Sequence, residues 1–417
     1  RRGLARLADA GCAVAALMFW VTRFSFLFSV FLLESYMTMT YWEGVRSMVN
    51  TVGPHGRWSA VVLAIVLTGC GGGGGGDSSA PAVPVALTLA AAPAIAPANG
   101  TTGADYAPAV QFTASKALAA AGIKLVCDGA VVAGKTTVAG AVATFKPDAP
   151  GVAANAQCTA SVDAPATKDA AGTVFTGSTA LTSFTVKALA CPGGTANTPP
   201  SFSGMALVAA CGNVFIEPAV AKNLWPGIVN GIQAALEMDR KVYGQLQSAQ
   251  PDVLVCQSGT CADYFAGPRR RNVTLYPNTY AGQYVAPRMT VVLTSPNWTQ
   301  NPYVLAHEFS HVEVATRTGG KHVPAWFDEG LATYIAGEPI CTNVTGKGID
   351  DLRKLDLETD WVAYTGPEDV FFKTYCQARA EVAAWIGKRG NTGVVQLLDA
   401  VRQGQSFAGQ YGAMLTQ

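Results

Sequence analysis

The chain reads as a multidomain protein, an all-β sandwich followed by an α+β domain, and three observations predict this. Residues 85–190 are rich in Ala, Thr, Val and Gly, and they hold short β-prone runs separated by turn signals. Residues 191–200, Cys-Pro-Gly-Gly-Thr-Ala-Asn-Thr-Pro-Pro, break that pattern as a linker. From 201 to 417 helical and strand patterns mix over a length sufficient to bury a core.

The N-terminal elements come first. An apolar run between Gly11 and Leu33 is interrupted by Arg23. Residues 1–47 are either a transmembrane helix or translated sequence upstream of the true start. The second is preferred, because a secretory signal lies at the start of a chain and Met48 gives one of ordinary length. Residues 48–69 are expected to be that signal. Its apolar stretch Trp58–Leu67 follows His55 and Arg57 and ends in small residues. It is too short to cross a bilayer core, which takes about 20 residues. Leu67-Thr68-Gly69-Cys70 resembles a bacterial lipobox, which implies a lipid-modified Cys70 and an anchor in a bacterial membrane. Residues 70–84, with six glycines from Gly71 to Gly76, read as a flexible tether.

In the sandwich, the expected strands are Val110–Thr113, Ile123–Cys127, Ala141–Phe145, Gln157–Val162 and Leu181–Val186. Turns are expected at Pro97–Gly100, Asp128-Gly129 and Lys146–Gly151. The segment resembles the Ig-like domains of bacterial surface proteins, including its Asp169-Ala-Ala-Gly-Thr element. It shows no catalytic constellation, and a spacer or adhesive module is expected. Eight cysteines lie beyond Cys70, an even number that suggests disulfides in an exported chain. Paired by proximity they give Cys127–Cys158, Cys191–Cys211, Cys256–Cys261 and Cys341–Cys376, the first of which is expected to join the two sheets.

In the second region, Pro226–Leu246 has a helical pattern, and Val253–Cys256 and Thr290–Thr294 read as strands. Asn301-Pro302 is a helix start and Gly319-Gly320 a stop, so a helix of roughly 17 residues is expected between them. It carries His307-Glu308-Phe309-Ser310-His311 at its middle. Residues i and i+4 of a helix share a face, so both imidazoles can converge on one metal ion, with Glu308 beside it as a base. At this composition the pattern arises by chance about once in a thousand chains. Two histidines leave a catalytic zinc one protein ligand short. Glu329, in Trp326-Phe-Asp-Glu-Gly-Leu-Ala-Thr-Tyr334 on an expected helix Pro324–Gly337, is the candidate. Phe371–Gly387 and Val394–Gln403 read as closing helices.

These two motifs resemble the gluzincin branch of the zinc metallopeptidases, the peptidase MA-like group. The resemblance spans about 220 residues from near Pro200 and implies a zincin-like metallopeptidase domain after the Ig-like sandwich. It implies Zn2+ held by His307, His311 and Glu329, with Glu308 as the base toward a water activated by the metal, and a peptide or protein substrate. Tyr375 resembles the tyrosine that stabilises the oxyanion in relatives, with Tyr334 the weaker candidate and a packing role open for either. Asp328 is expected to orient a ligand or to serve as a helix-start carboxylate. Seventeen residues lie between His311 and Glu329, fewer than in the best-known members, so the Ala315–Val323 loop must be tight. A strand placed like Thr290–Thr294 borders the cleft in such enzymes and can pair with an extended substrate.

Net charge is +1 with 14% charged residues, which argues against nucleic acid as a partner. Arg269-Arg270-Arg271 reads as a solvated loop and His322 as a loop histidine. The expected activity is that of an outward-facing, lipid-anchored zinc peptidase of the bacterial envelope. The alternative is an inactive peptidase-fold lipoprotein acting as a binding or scaffold module.

Overall fold

A computed structural model of the chain describes residues 85–191, 198–268, 272–277, 280–281, 284–285, 288–295, 302–337 and 339–416. Residues 1–84, which hold the expected signal segment, Cys70 and the expected tether, lie outside them, as do Asn301 and the arginine cluster. The described residues belong to one compact unit, Val83–Gln417, which holds a β-rich region and an α+β region.

The β-rich region is two sheets on one core. Its strands are β1 (Thr101–Ala104), β2 (Val110–Thr113), β3 (Leu118–Cys127), β4 (Ala130–Val131), β5 (Gly134–Ala139), β6 (Val142–Pro147), β7 (Gln157–Asp169) and β8 (Ala180–Val186). One sheet runs β1-β8-β7-β3-β4 and the other β2-β6-β5. Alternate residues face inward, as a pleated strand requires: Val110 and Phe112, Ala143 and Phe145, Ile123 and Leu125, Ala160 and Val162. Cys127 and Cys158 are bonded, but the bridge does not join the sheets as expected. The two residues stand directly opposite each other on β3 and β7, neighbours in one sheet, with Cα atoms 4.1 Å apart. That spacing belongs to the close, non-hydrogen-bonded positions of an antiparallel pair.

The α+β region is built on a second five-stranded sheet. Its strands are β9 (Val208–Cys211), β10 (Val214–Ile216), β11 (Asp252–Val255), β12 (Val273–Leu275) and β13 (Thr290–Leu293), in the order β9-β10-β11-β13-β12. The three inner strands are parallel, and β9 and β12 run antiparallel at the edges. Inner parallel strands are covered on both faces, which is why they read as unbroken apolar runs. Val253, Val255, Val291 and Leu293 face the main helical layer, while Leu254 and Val292 face the short helix α2 (Gly259–Ala266).

The helical layer contains α1 (Trp225–Tyr243), α3 (Pro302–Thr318), α4 (Ala325–Ala336), α5 (Glu358–Thr365), α6 (Glu368–Arg402) and α7 (Phe407–Thr416). The two expected closing helices are joined in α6, broken only at Gly390, whose φ of 68° and ψ of 174° interrupt the helical geometry. Helix α3 lies in the middle of the layer, packed on α1, α4 and α6. It stops where expected: Gly319 and Gly320 have φ of 63° and 72°, and Gly320 N–H donates to Ala315 O across a Schellman turn. Its buried C-terminal half is fixed by a Glu313–Arg317 pair at 2.6 Å. Glu313 also accepts from the backbone of Gln247 and Ser248, and Arg317 donates to Tyr243 O and Gln245 O. A buried ion pair needs such added hydrogen bonds to offset its desolvation.

Among the described residues four disulfides are present, joining the cysteines nearest in sequence: Cys127–Cys158, Cys191–Cys211, Cys256–Cys261 and Cys341–Cys376. Cys191–Cys211 stitches the end of the sandwich to β9, where Leu189 also packs on the α+β core. Among the described residues no helix is long and apolar enough to cross a membrane.

Candidate metal centre

His307 and His311 lie one turn apart on α3, with ring centroids 4.9 Å apart. Helix α4 brings Glu329 against both. His307 Nε2 is 3.1 Å and His311 Nε2 3.7 Å from Glu329 Oε2. The connecting loop is only Gly319–Pro324, shorter than expected because α3 runs on to Thr318. Gly330 explains how α4 comes so deep: a Cβ there would lie 2.7 Å from the Ala378 carbonyl on α6. Only glycine permits that approach.

The three side chains can hold a metal ion, since their donor atoms all lie within 4.8 Å of one another. Tetrahedral zinc, with bonds of about 2.0–2.1 Å, places its donor atoms roughly 3.3 Å apart, between the two separations measured here. The outer partner is also in place. Asp328 Oδ2 lies 3.1 Å from His311 Nδ1, which directs Nε2 of that ring toward Glu329. Asp328 also stands in the first turn of α4, so both arrangements expected of it are present.

Glu308 is buried beside the ligands. Its carboxylate Oε2 accepts a 2.7 Å hydrogen bond from Thr274 on β12. Tyr375, on α6, is brought into the centre. Its ring lies 6.2 Å from that of His307 and stacks on Phe371 at 4.4 Å. Tyr334 and Tyr375 both pack, half-buried, on the hydrophobic core. His322 pairs with Asp356 at 3.1 Å, half exposed, and lines a separate cavity of about 410 Å3 that shares no residue with this centre.

Two contributors were not recognised in the sequence, Thr274 and Tyr276. The signal was the short Val-Thr-Leu-Tyr run after the arginine cluster, which alternates as an edge strand does. Tyr276, just past β12 and partly exposed, has its hydroxyl raised above the ordinary value, first by partial withdrawal from water and then by the charges of Asp328, Glu358, Glu329 and Glu308. The expectation for Thr290–Thr294 is corrected here. β13 is fully buried and paired on both sides, so it has no free edge for a substrate. The edge nearest the centre belongs to β12.

A second group, Glu217 with Cys256 and Cys261, has its sulfurs joined to each other. Glu217 accepts from Gln257 N, Ser258 N and Ser258 Oγ, so it anchors the turn that leads into α2, where Ser258 is the cap.

The charges of the centre are coupled. Burial raises the Glu308 carboxyl, with the histidines and Thr274 opposing it only in part. Burial works to depress both imidazoles, but carboxylates outweigh it. Asp328 and Glu329 hold His311 well above its ordinary value, and Glu329 raises His307. Burial would raise Glu329, and the His311 charge and the bond from His307 lower it instead. A raised imidazole holds its proton to higher pH than a free one, and a metal must displace it. Metal affinity should therefore climb as pH rises, until both imidazoles are neutral. At pH 7, calorimetry in buffers of different ionisation heat should find about one to two protons released per metal ion. Two imidazoles with ordinary values would release only about half a proton in total, and that result would refute the coupling.

No protein-family model matches the sequence, and no curated protein shows significant similarity to it.

Proposed function

We propose that the chain is a zinc-dependent peptidase of the gluzincin type, its zincin-like domain following an Ig-like sandwich. The observation that carries this reading is the meeting of His307, His311 and Glu329 donor atoms with a buried, non-ligating carboxylate, Glu308, beside them. A purely structural metal site gives Glu308 no task.

When bound, zinc supplies a Lewis acid that polarises a peptide carbonyl and lowers the pKa of water toward 7. His307, His311 and Glu329 hold it, and Asp328 fixes the His311 ring. Glu308 takes a proton from the attacking water and hands it to the leaving amine nitrogen. Tyr375 and Tyr276, both kept protonated, are the hydroxyls available to meet the negative charge on the carbonyl oxygen. The outer edge of β12 offers main-chain groups to an extended peptide. The disulfides support an oxidising compartment. With the lipobox at Cys70, this favours a lipid-anchored protein facing outward from a bacterial membrane.

The test is metal content together with cleavage of a peptide library. The purified protein should carry about one zinc per chain, and a chelator should abolish cleavage that added zinc restores. An intact fold that takes up no zinc, or cleavage indifferent to chelation, would remove the reading.

A further inference from the structure

The Thr274 hydroxyl has one proton, and two oxygens of a single residue face it. Thr274 Oγ1 lies 2.7 Å from Glu308 Oε2 and 2.9 Å from the Glu308 main-chain oxygen. Thr274 sits at the middle of β12, held to β13 opposite Val291, so its backbone is anchored in the sheet. Among the described residues no other side chain hydrogen-bonds the Glu308 carboxylate. The geometry points to Thr274 as the positioning residue of the base: it occupies Oε2 and thereby leaves Oε1 as the oxygen that takes and returns the proton. This inference rests on the peptidase reading above.

Several consequences follow from that division of labour. A glutamate has three side-chain torsions, and a base that wanders among them is out of line for most encounters. The clasp from strand to helix removes this freedom without touching the metal ligands. It also ties the base, on α3, to the strand that offers its outer edge to a peptide, so substrate register and base position share one support. The carboxylate is buried, which makes a hydrogen bond from a neutral hydroxyl stronger than it would be in water.

The variants are Thr274→Val, which keeps the shape but removes the hydroxyl, with Thr274→Ser and Thr274→Ala. They are compared as zinc-loaded full-length protein on a peptide that the parent cleaves. In Thr274→Val, kcat should fall roughly 10–100-fold, the cost of one hydrogen bond to a charged group, with KM and zinc content unchanged. Thr274→Ser should recover most of the rate and Thr274→Ala should not. Crystal structures of the metal-free variants give a readout independent of turnover. The serine hydroxyl should remain within hydrogen-bond distance of Oε2, and in the valine variant the carboxylate should turn away. Parental kcat in Thr274→Val overturns the inference, as does equal impairment of the serine and alanine variants. If Thr274→Val does not fold, the serine and alanine pair decides alone. A parent with no chelator-sensitive cleavage removes the peptidase reading, while the metal-free structures still decide whether Thr274 holds Glu308.

Discussion

Glu308→Gln should lower peptide cleavage by about 10²–10⁴-fold, the usual cost of removing a general base. Zinc content and thermal midpoint should barely move. The amide has nearly the size and shape of the carboxyl, and its oxygen can still accept from Thr274, so the buried hydroxyl keeps its partner. Glu308 is not among the three residues whose donor atoms converge, and its loss should leave the metal where it was. The substitution removes only the ability to take a proton at neutral pH. Cleavage at the parental rate would mean that hydrolysis does not run through this motif, and the scaffold reading would take its place.

Loss of a metal ligand should have a different signature. Glu329→Gln and His311→Ala should each weaken zinc binding by more than about 100-fold, the upper end of what loss of an outer partner costs. Activity should disappear with the metal. The charges explain the size of the effect. Glu329 faces both imidazoles, at 3.1 and 3.7 Å, so its neutralisation removes negative charge from the middle of the centre. His311→Ala removes a donor and also leaves Asp328 without its imidazole partner. Asp328→Asn should fall between parent and ligand variants, about 10–100-fold weaker, because it disturbs only the orientation of one ring. Elemental analysis after dialysis against a buffered zinc series gives the order. Parental zinc in Glu329→Gln would take that residue out of the ligand set.

The contrast between the two substitutions separates base from ligand, which a single activity loss cannot do. Two residues of one helix, Glu308 and His311, then report different chemistry.

Much of this centre was legible in the sequence because its strongest signal is local. The rise and turn of a helix fix the relation of His307 to His311 whatever surrounds them, and Asn301-Pro302 and Gly319-Gly320 mark where that helix can run. The inner strands β11 and β13 announced themselves as unbroken apolar runs, and α4 as an apolar segment around Asp328 and Glu329. What the sequence could not specify is which strand pairs with which. Thr290–Leu293 was expected at the cleft and lies inside the sheet, because Val273–Leu275 pairs on its outer side. Cys127–Cys158 was expected between sheets and lies within one, because β3 and β7 are neighbours. Thr274 is 34 residues from Glu308 in sequence, and no periodicity connects them. Sequence determines the pattern along one helix or strand, where bond geometry alone sets the spacing. Strand order, the edge of a sheet and the hydroxyl that reaches the base are set by long-range packing, and only the tertiary structure decided them.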